Sequence, residues 1–169
     1  MKKLLALALV LVLALALIPA TAEEYTIGVL LSDTSNTFFV TMQTAIEAKA
    51  AELGAKTIIL NGANDSAKDV TNMENLLSAG VDIVLYNPVD SDAAAAVAQM
   101  AIDKGVQIIS LDRGVNGAEV VCHIASDNVY GGRIATEKLI ELLGGKGVIA
   151  EIQGMAGASA ANDRHQGFV

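Results

Sequence analysis

Short runs of Val, Ile and Leu recur along this chain, each followed by a longer segment of helical period. The runs "YTIGVLL", "TIIL", "DIVLY", "QIISL", "VVCHI" and "GVIAEI" carry little polar alternation. That is the pattern of strands buried on both faces, as in a parallel sheet. Between them Phe39, Met42, Ile46, Ala50 and Leu53 make one apolar stripe, Val70, Met73 and Leu77 a second, and Val97, Met100 and Ala101 a third. Glycine punctuates the alternation. "ELGAK", "SAGVD", "DKGVQ" and "LGGKGV" each place one where a helix must stop before the next strand. Strands are expected to start near Tyr25, Thr57, Asp82 and Gln107, the spacing of βα units. The expected fold class is α/β, an open parallel sheet flanked by helices on both faces.

The first 22 residues stand outside that pattern. Met1-Lys2-Lys3 is a basic start, Leu4 to Ile18 an uninterrupted apolar run, and Ala20-Thr21-Ala22 a small-x-small cleavage site, which together read as a signal peptide cut after Ala22. As a helix the apolar run would reach only about 22 Å, short of the ~30 Å hydrocarbon core, so no membrane insertion is expected after cleavage. The formal charge is −8, and it becomes more negative once Lys2 and Lys3 are removed. Such acidity disfavours nucleic acid and anionic lipid as partners. Cys122 is the only cysteine, which excludes an internal disulfide. Its place within "VVCHI" predicts a packed small side chain. With no cysteine at the cleavage site, lipid attachment there is excluded as well. His123 and His165 have no metal-ligand spacing with other residues, so neither a metal nor a cofactor is expected.

Ligands of open α/β sheets bind outside the carboxyl ends of the strands, and polar residues collect there in this chain. Ser32, Asp33 and Asn36 follow the first strand, Asn61 and Asn64 the second, Asn87 the third, Asp112 and Arg113 the fourth, and Ser126 and Asp127 the "VVCHIA" run. Together they offer donors and acceptors with little net charge, which suits a neutral polyol. Local readings compete at several positions. Asn36 can serve as a helix N-cap, Asn87 as a turn residue before Pro88, and Asp112-Arg113 as a surface ion pair. Asp127-Asn128 reads as a cap, and Ser126 is open on local grounds. An aromatic face suits the C–H side of a sugar ring. Phe39 continues the buried stripe, which leaves Phe38 the freer of the two to reach the crevice.

The motifs "SNTFF", "NPVDSDA", "LDRG", "HIASDN" and "GMAGASAANDRHQGF" resemble, in order and spacing, the periplasmic ribose-binding proteins and their sugar-binding relatives. The resemblance runs from about Tyr25 to the last residue. It implies a periplasmic protein of two lobes that close on one monosaccharide and deliver it to the membrane permease of an ABC importer. A chemotaxis receptor is a further partner. It also implies ligand contacts at Asn36, Phe38, Phe39, Asn87, Asp112, Arg113, Ser126 and Arg164. The chain departs from the family pattern at Thr37, where Pro is usual, at Gly114, where ribose binders often carry a larger polar residue, and around Asn162-Asp163 and His165-Gln166. By the family pattern residues 23–126 form most of a first lobe and residues 127–169 only begin a second. The chain is therefore expected to be C-terminally incomplete, to bind sugar weakly or not at all by itself and to expose apolar sheet edges.

Rival functions fit less well. Ser159 in "GASAA", with Asp163 and His165 nearby, suggests a secreted hydrolase. A glycine-rich loop separates that Ser from "GVIAEI", however, whereas a nucleophile elbow needs it directly after a strand. The loop "QGMAGAS" precedes a helix but fits neither dinucleotide nor Walker patterns. A sugar-responsive repressor shares the fold but needs a DNA-binding helix pair where this chain has a signal peptide. A sugar receptor that feeds signalling instead of import is not separable by sequence.

Overall fold

The computed structural model describes residues 25–169, so the expected signal peptide lies outside the described residues. In chain order the elements are β1 (Thr26–Leu31), α1 (Thr37–Leu53), β2 (Lys56–Asn61), α2 (Ser66–Ser78), β3 (Ile83–Tyr86), α3 (Ala94–Ile102), β4 (Gln107–Leu111), β5 (Cys122–Ile124), α4 (Asn128–Leu142) and α5 (Ser159–Phe168). The five strands pair in the order β2-β1-β3-β4-β5, every pair parallel. The expected α/β class and the first four strand positions are thus found. Gly54, Gly80, Gly105 and Gly144, in the four punctuating motifs, all take positive φ. That is the left-handed turn a helix needs before its chain re-enters the sheet.

The chain leaves β1 for the β2 edge, then crosses back over β1 to β3. Right-handed crossovers in opposite directions put α1 on one face and α2 and α3 on the other. Strand alternation then sorts the side chains. Leu30, Val84, Tyr86 and Ile108 join Met73 and Leu76 of α2 and Val97, Ala98 and Ala101 of α3 in one buried cluster. Ile27, Leu85 and Leu111 point the opposite way, toward Met42, Ala45 and Ile46 of α1.

Three expectations need correction. The buried stripe of α2 runs through Asp69, Met73 and Leu76, while Val70 is exposed. The helix is rotated toward β3, where the Tyr86 hydroxyl donates to the buried Asp69 carboxylate. The "VVCHI" run yields only the three-residue strand β5, exposed throughout, and Cys122 is exposed with it. β5 is an edge strand paired with β4 alone, and no helix covers it. "GVIAEI" forms no strand, and Val148 and Ile152 are each 98% exposed. No strand lies beside it among the described residues, and a lone strand leaves its backbone groups without partners.

Past β5 the chain crosses once, through Ala125 to Asp127, into α4. Helices α4 and α5 pack on each other at close range. A side chain at Gly132 would strike the Arg164 backbone, and one at Gly167 would strike that of Val129.

Candidate functional site

The loops after β1, β4 and β5 meet α4 and α5 around a cavity of about 310 Å³. Its walls include Asn36, Phe38, Phe39, Asp112, Arg113, Ser126 and Arg164. Seven of the eight sequence-expected site residues therefore converge on one space. The eighth, Asn87, sits beneath the floor, fully buried.

Each wall has a local cause. Asn36 is the N-cap of α1, its Oδ1 accepting from the Phe38 amide at 3.0 Å. That cap sets the first helical turn, so successive side chains diverge. Phe39 goes inward and is 4% exposed, while Phe38 stands 53% exposed at the rim. The two rings meet edge to face with centroids 5.2 Å apart. Phe39 also carries the Arg113 guanidinium, 5.3 Å from its centroid, and so belongs to both core and cavity.

Asp112 ends β4 in the left-handed region, at φ 58. A β-carbon disfavours that conformation, and residues held there gather where a chain must present a side chain at an unusual angle. Asn87 holds the turn from below. Its Nδ2 donates to the Leu111 carbonyl at 2.9 Å and lies 3.4 Å from Asp112 Oδ2, while its Oδ1 accepts from the Ser32 hydroxyl at 2.6 Å. Arg113 is 8% exposed and donates to the carbonyls of Pro88 and Val89 at 3.2 and 3.0 Å. Burial pulls its pKa down, opposed by the carboxylates of Asp112, Asp69 and Asp33.

The opposite wall comes from α5. Ser159 Oγ accepts from the Gly114 amide at 2.8 Å, the Ser159 amide donates to Ser91 Oγ at 3.1 Å, and the Ser91 amide donates to the Gly157 carbonyl at 2.9 Å. These bonds seat the start of α5 against the loops after β3 and β4. They also commit Ser159 as an acceptor, while His165 pairs with Glu151 at 2.7 Å. No nucleophile–base pair forms between Ser159 and His165. Arg164 Nη1 donates to Asn128 Oδ1 at 2.6 Å, and Asn128 in turn donates to the Ser126 carbonyl at 3.1 Å.

Asn128, 8% exposed, also lines the cavity and was read from sequence only as part of a cap. Asp127 is that cap, accepting from the Tyr130 amide. Met155 lines the cavity too, its sulfur 3.9 Å from Arg113 Nη1. Small residues Gly154, Ala158, Ala160 and Ala161 complete the wall and leave the space open. The remaining polar residues at the strand ends brace loops. Asn64 donates to Asp33 at 2.6 Å, and Asn61 accepts from the amides of Thr34 and Ala63. Hydrogen bonds from Ser35, above all, hold the Asp33 carboxyl below its usual range. Among the described residues no group of His, Cys, Asp and Glu is placed to hold a metal ion. No described helix is long and apolar enough to cross a membrane.

An open parallel sheet with a polar, aromatic-edged cavity at the carboxyl ends of its strands defines a small-molecule binding lobe. Residues 27–169 match the model of the periplasmic binding protein domain, and the chain belongs to that family. It is 40% identical to the ribose import binding protein of Haemophilus influenzae over 99% of this chain and 58% of the relative. The structure superposes on the Caulobacter myo-inositol binding protein with a TM-score of 0.81 and 31% identity, covering 89% of this chain and 51% of that one. A fructose binding periplasmic domain of a hybrid two-component system gives a TM-score of 0.82 at 26% identity, over 86% of this chain and 48% of that one. The chain thus spans about half the length of the relatives it matches. The family consists of binding proteins rather than enzymes, in keeping with the bonds already committed by Ser159 and His165.

Proposed function

We propose that the chain carries the sugar-binding site of an exported monosaccharide-binding protein, with ribose the first choice of ligand, which supplies the permease of an ABC importer by closure of two lobes. In this reading residues 1–22 are the signal peptide, removed after Ala22, residues 23–126 supply the first lobe, residues 127–169 open the second, and the protein works in the periplasm. One observation carries the reading: Asn36, Phe38, Phe39, Asp112, Arg113, Ser126 and Arg164 border a single cavity of about 310 Å³. The ring face of Phe38 offers an apolar platform for sugar C–H groups. Asp112 accepts from a pair of hydroxyls, and Arg113 and Arg164 donate to ring or hydroxyl oxygens. Asn87 acts from below, fixing the Asp112 turn. The names of the relatives, ribose import binding protein and myo-inositol binding protein, support a polyhydroxylated ligand of this size.

Thermal-shift titration of a form that carries both lobes, with ribose, myo-inositol, fructose, xylose and arabinose, tests the reading. Saturation at a hundredfold excess over the dissociation constant stabilises by about 2.7 kcal/mol. Absence of a shift with every one of these sugars overturns it. A second reading, a sugar receptor that feeds a signalling system, draws support from the similarity to the fructose binding domain of a hybrid two-component system. Pull-down against the permease and against a chemoreceptor ectodomain separates the two.

A further inference from the structure

Asp69 stands in the first turn of α2, on the sheet face away from the cavity's aromatic edge, and is 2% exposed. A carboxylate at that depth is costly unless its oxygens are answered. Only one is. Oδ2 accepts from the Tyr86 hydroxyl at 3.0 Å and from the Val89 amide at 2.9 Å, while Oδ1 has no partner. Oδ1 packs against Gly62, where a β-carbon would lie 2.6 Å from it. Burial pushes the carboxyl above its usual range, and the bonds from Val89 and Tyr86 pull against that shift. Core packing alone would favour an apolar residue at this position. The hydrogen bond to Val89 supplies a different reason for an acid.

The peptide between Pro88 and Val89 is used on both sides. Its N–H, from Val89, donates to Asp69 Oδ2, and its carbonyl, from Pro88, accepts from Arg113 Nη1 at 3.2 Å, beside the carbonyl of the next peptide, from Val89, at 3.0 Å. The same turn begins at Asn87, the residue under the Asp112 corner. Fixing the 88–89 peptide therefore fixes the Pro88 carbonyl directly, and the Val89 carbonyl in the next peptide is constrained with it, so both acceptors that hold the guanidinium over Phe39 are set. We infer that Asp69, which never touches the cavity, is a positioning residue for Arg113: its Oδ2 anchors the Val89 amide, and the Pro88 carbonyl of the same planar peptide, with the Val89 carbonyl next to it, aims the guanidinium at the ligand. The inference rests on the sugar-binding reading for its consequence, though not for its geometry.

The proposal assigns the role to a hydrogen-bond acceptor rather than to a charge. Asp69→Asn keeps an acceptor of the same shape, whereas Asp69→Ala removes it. In the form that carries both lobes, ribose affinity is expected to fall roughly tenfold in Asp69→Ala and to stay within about threefold of the parent in Asp69→Asn. In an Arg113→Met background the alanine change costs no further affinity, since residues acting through one another are not additive. Independently of sugar, the Arg113 Nε–H resonance of the ligand-free chain moves in Asp69→Ala and keeps its position in Asp69→Asn. If Asp69→Ala does not fold, Asp69→Leu with Tyr86→Phe replaces both partners by apolar groups of matching shape and takes its place. An unmoved Arg113 resonance after loss of the acceptor overturns the proposal, as does an affinity loss that persists at full size in Arg113→Met. A form with both lobes whose Arg113 signal responds as described but which binds none of the sugars keeps the positioning role and refutes the sugar reading instead.

Discussion

The two faces of this sheet are built from the same alternating strands, yet one is sealed and the other half bare. Under α2 and α3, Leu30, Met73, Leu76, Val84 and Tyr86 are wholly withdrawn from solvent. Under α1, Ile27, Leu85 and Leu111 are only half-buried and line a groove of about 500 Å³, with Ile124 58% and Leu53 69% exposed at its margins. Topology makes the difference. Two crossovers run from β2 toward β4 and lay two helices side by side over β1, β3 and β4, while the single crossover from β1 to β2 lays one helix near the opposite edge. The candidate site lies where the two regimes meet. Phe38, Asp112 and Ser126 border both the groove and the cavity. Folding energy thus comes mainly from one face, and the residues that border the cavity are mounted at the edge of the other.

Substitution on the sealed face puts the comparison under the heaviest strain. Leu76→Ala is expected to cost about 2–5 kcal/mol, because a fully enclosed side chain leaves a cavity that rigid neighbours do not refill. Urea unfolding measures it, and a loss near that of a surface change would mean the sealed face is not the core. Next comes the strut between core and site. Asn87→Ala strands the buried Ser32 amide and hydroxyl and frees the Leu111 carbonyl, for an expected cost of about 1–3 kcal/mol. The same substitution loosens the Asp112 turn, so proteolysis after Leu111 should quicken.

How much of this was legible in the sequence follows the range of the interactions. Asn36 was readable because a cap acts over two residues, and the division between Phe38 and Phe39 followed from one turn of helix. Asp112 and Arg113 were readable because strand ends in a parallel sheet face one side. Asn128 was not, since the partner that gives it meaning, Arg164, is 36 positions away. Asp69 reads locally as an ordinary acid in a helix's first turn, and only the Tyr86 and Val89 contacts across the fold reveal it as buried. Cys122 and "GVIAEI" show the converse. An apolar run announces the wish to be covered but says nothing about whether a neighbouring element does the covering.

On the bare face the same chemistry should weigh less. Leu85 sits one residue from Val84 on β3 and points the opposite way, into the groove. Being half-buried, it forgoes only part of its apolar area on truncation, so Leu85→Ala should cost about 1 kcal/mol, well below Leu76→Ala. A value matching Leu76→Ala would mean that the groove closes in solution and that the two faces are alike.

The smallest change in stability should come with a large change in surface behaviour. Ile124→Thr and Leu53→Lys lie at the exposed margins of the groove and touch no buried partner, so each should move stability by no more than about 0.5 kcal/mol. Yet these side chains make the groove a continuous apolar surface, which binds environment-sensitive dyes and promotes association. The double variant should therefore show weaker dye fluorescence and a higher solubility limit at an unchanged unfolding midpoint. Equal dye binding in parent and variant would locate the apolar surface elsewhere, with the solvated segment around Val148 and Ile152 the next to test. Substituting those two in turn assigns the surface to the sheet or to that segment, since the two regions share no side chain.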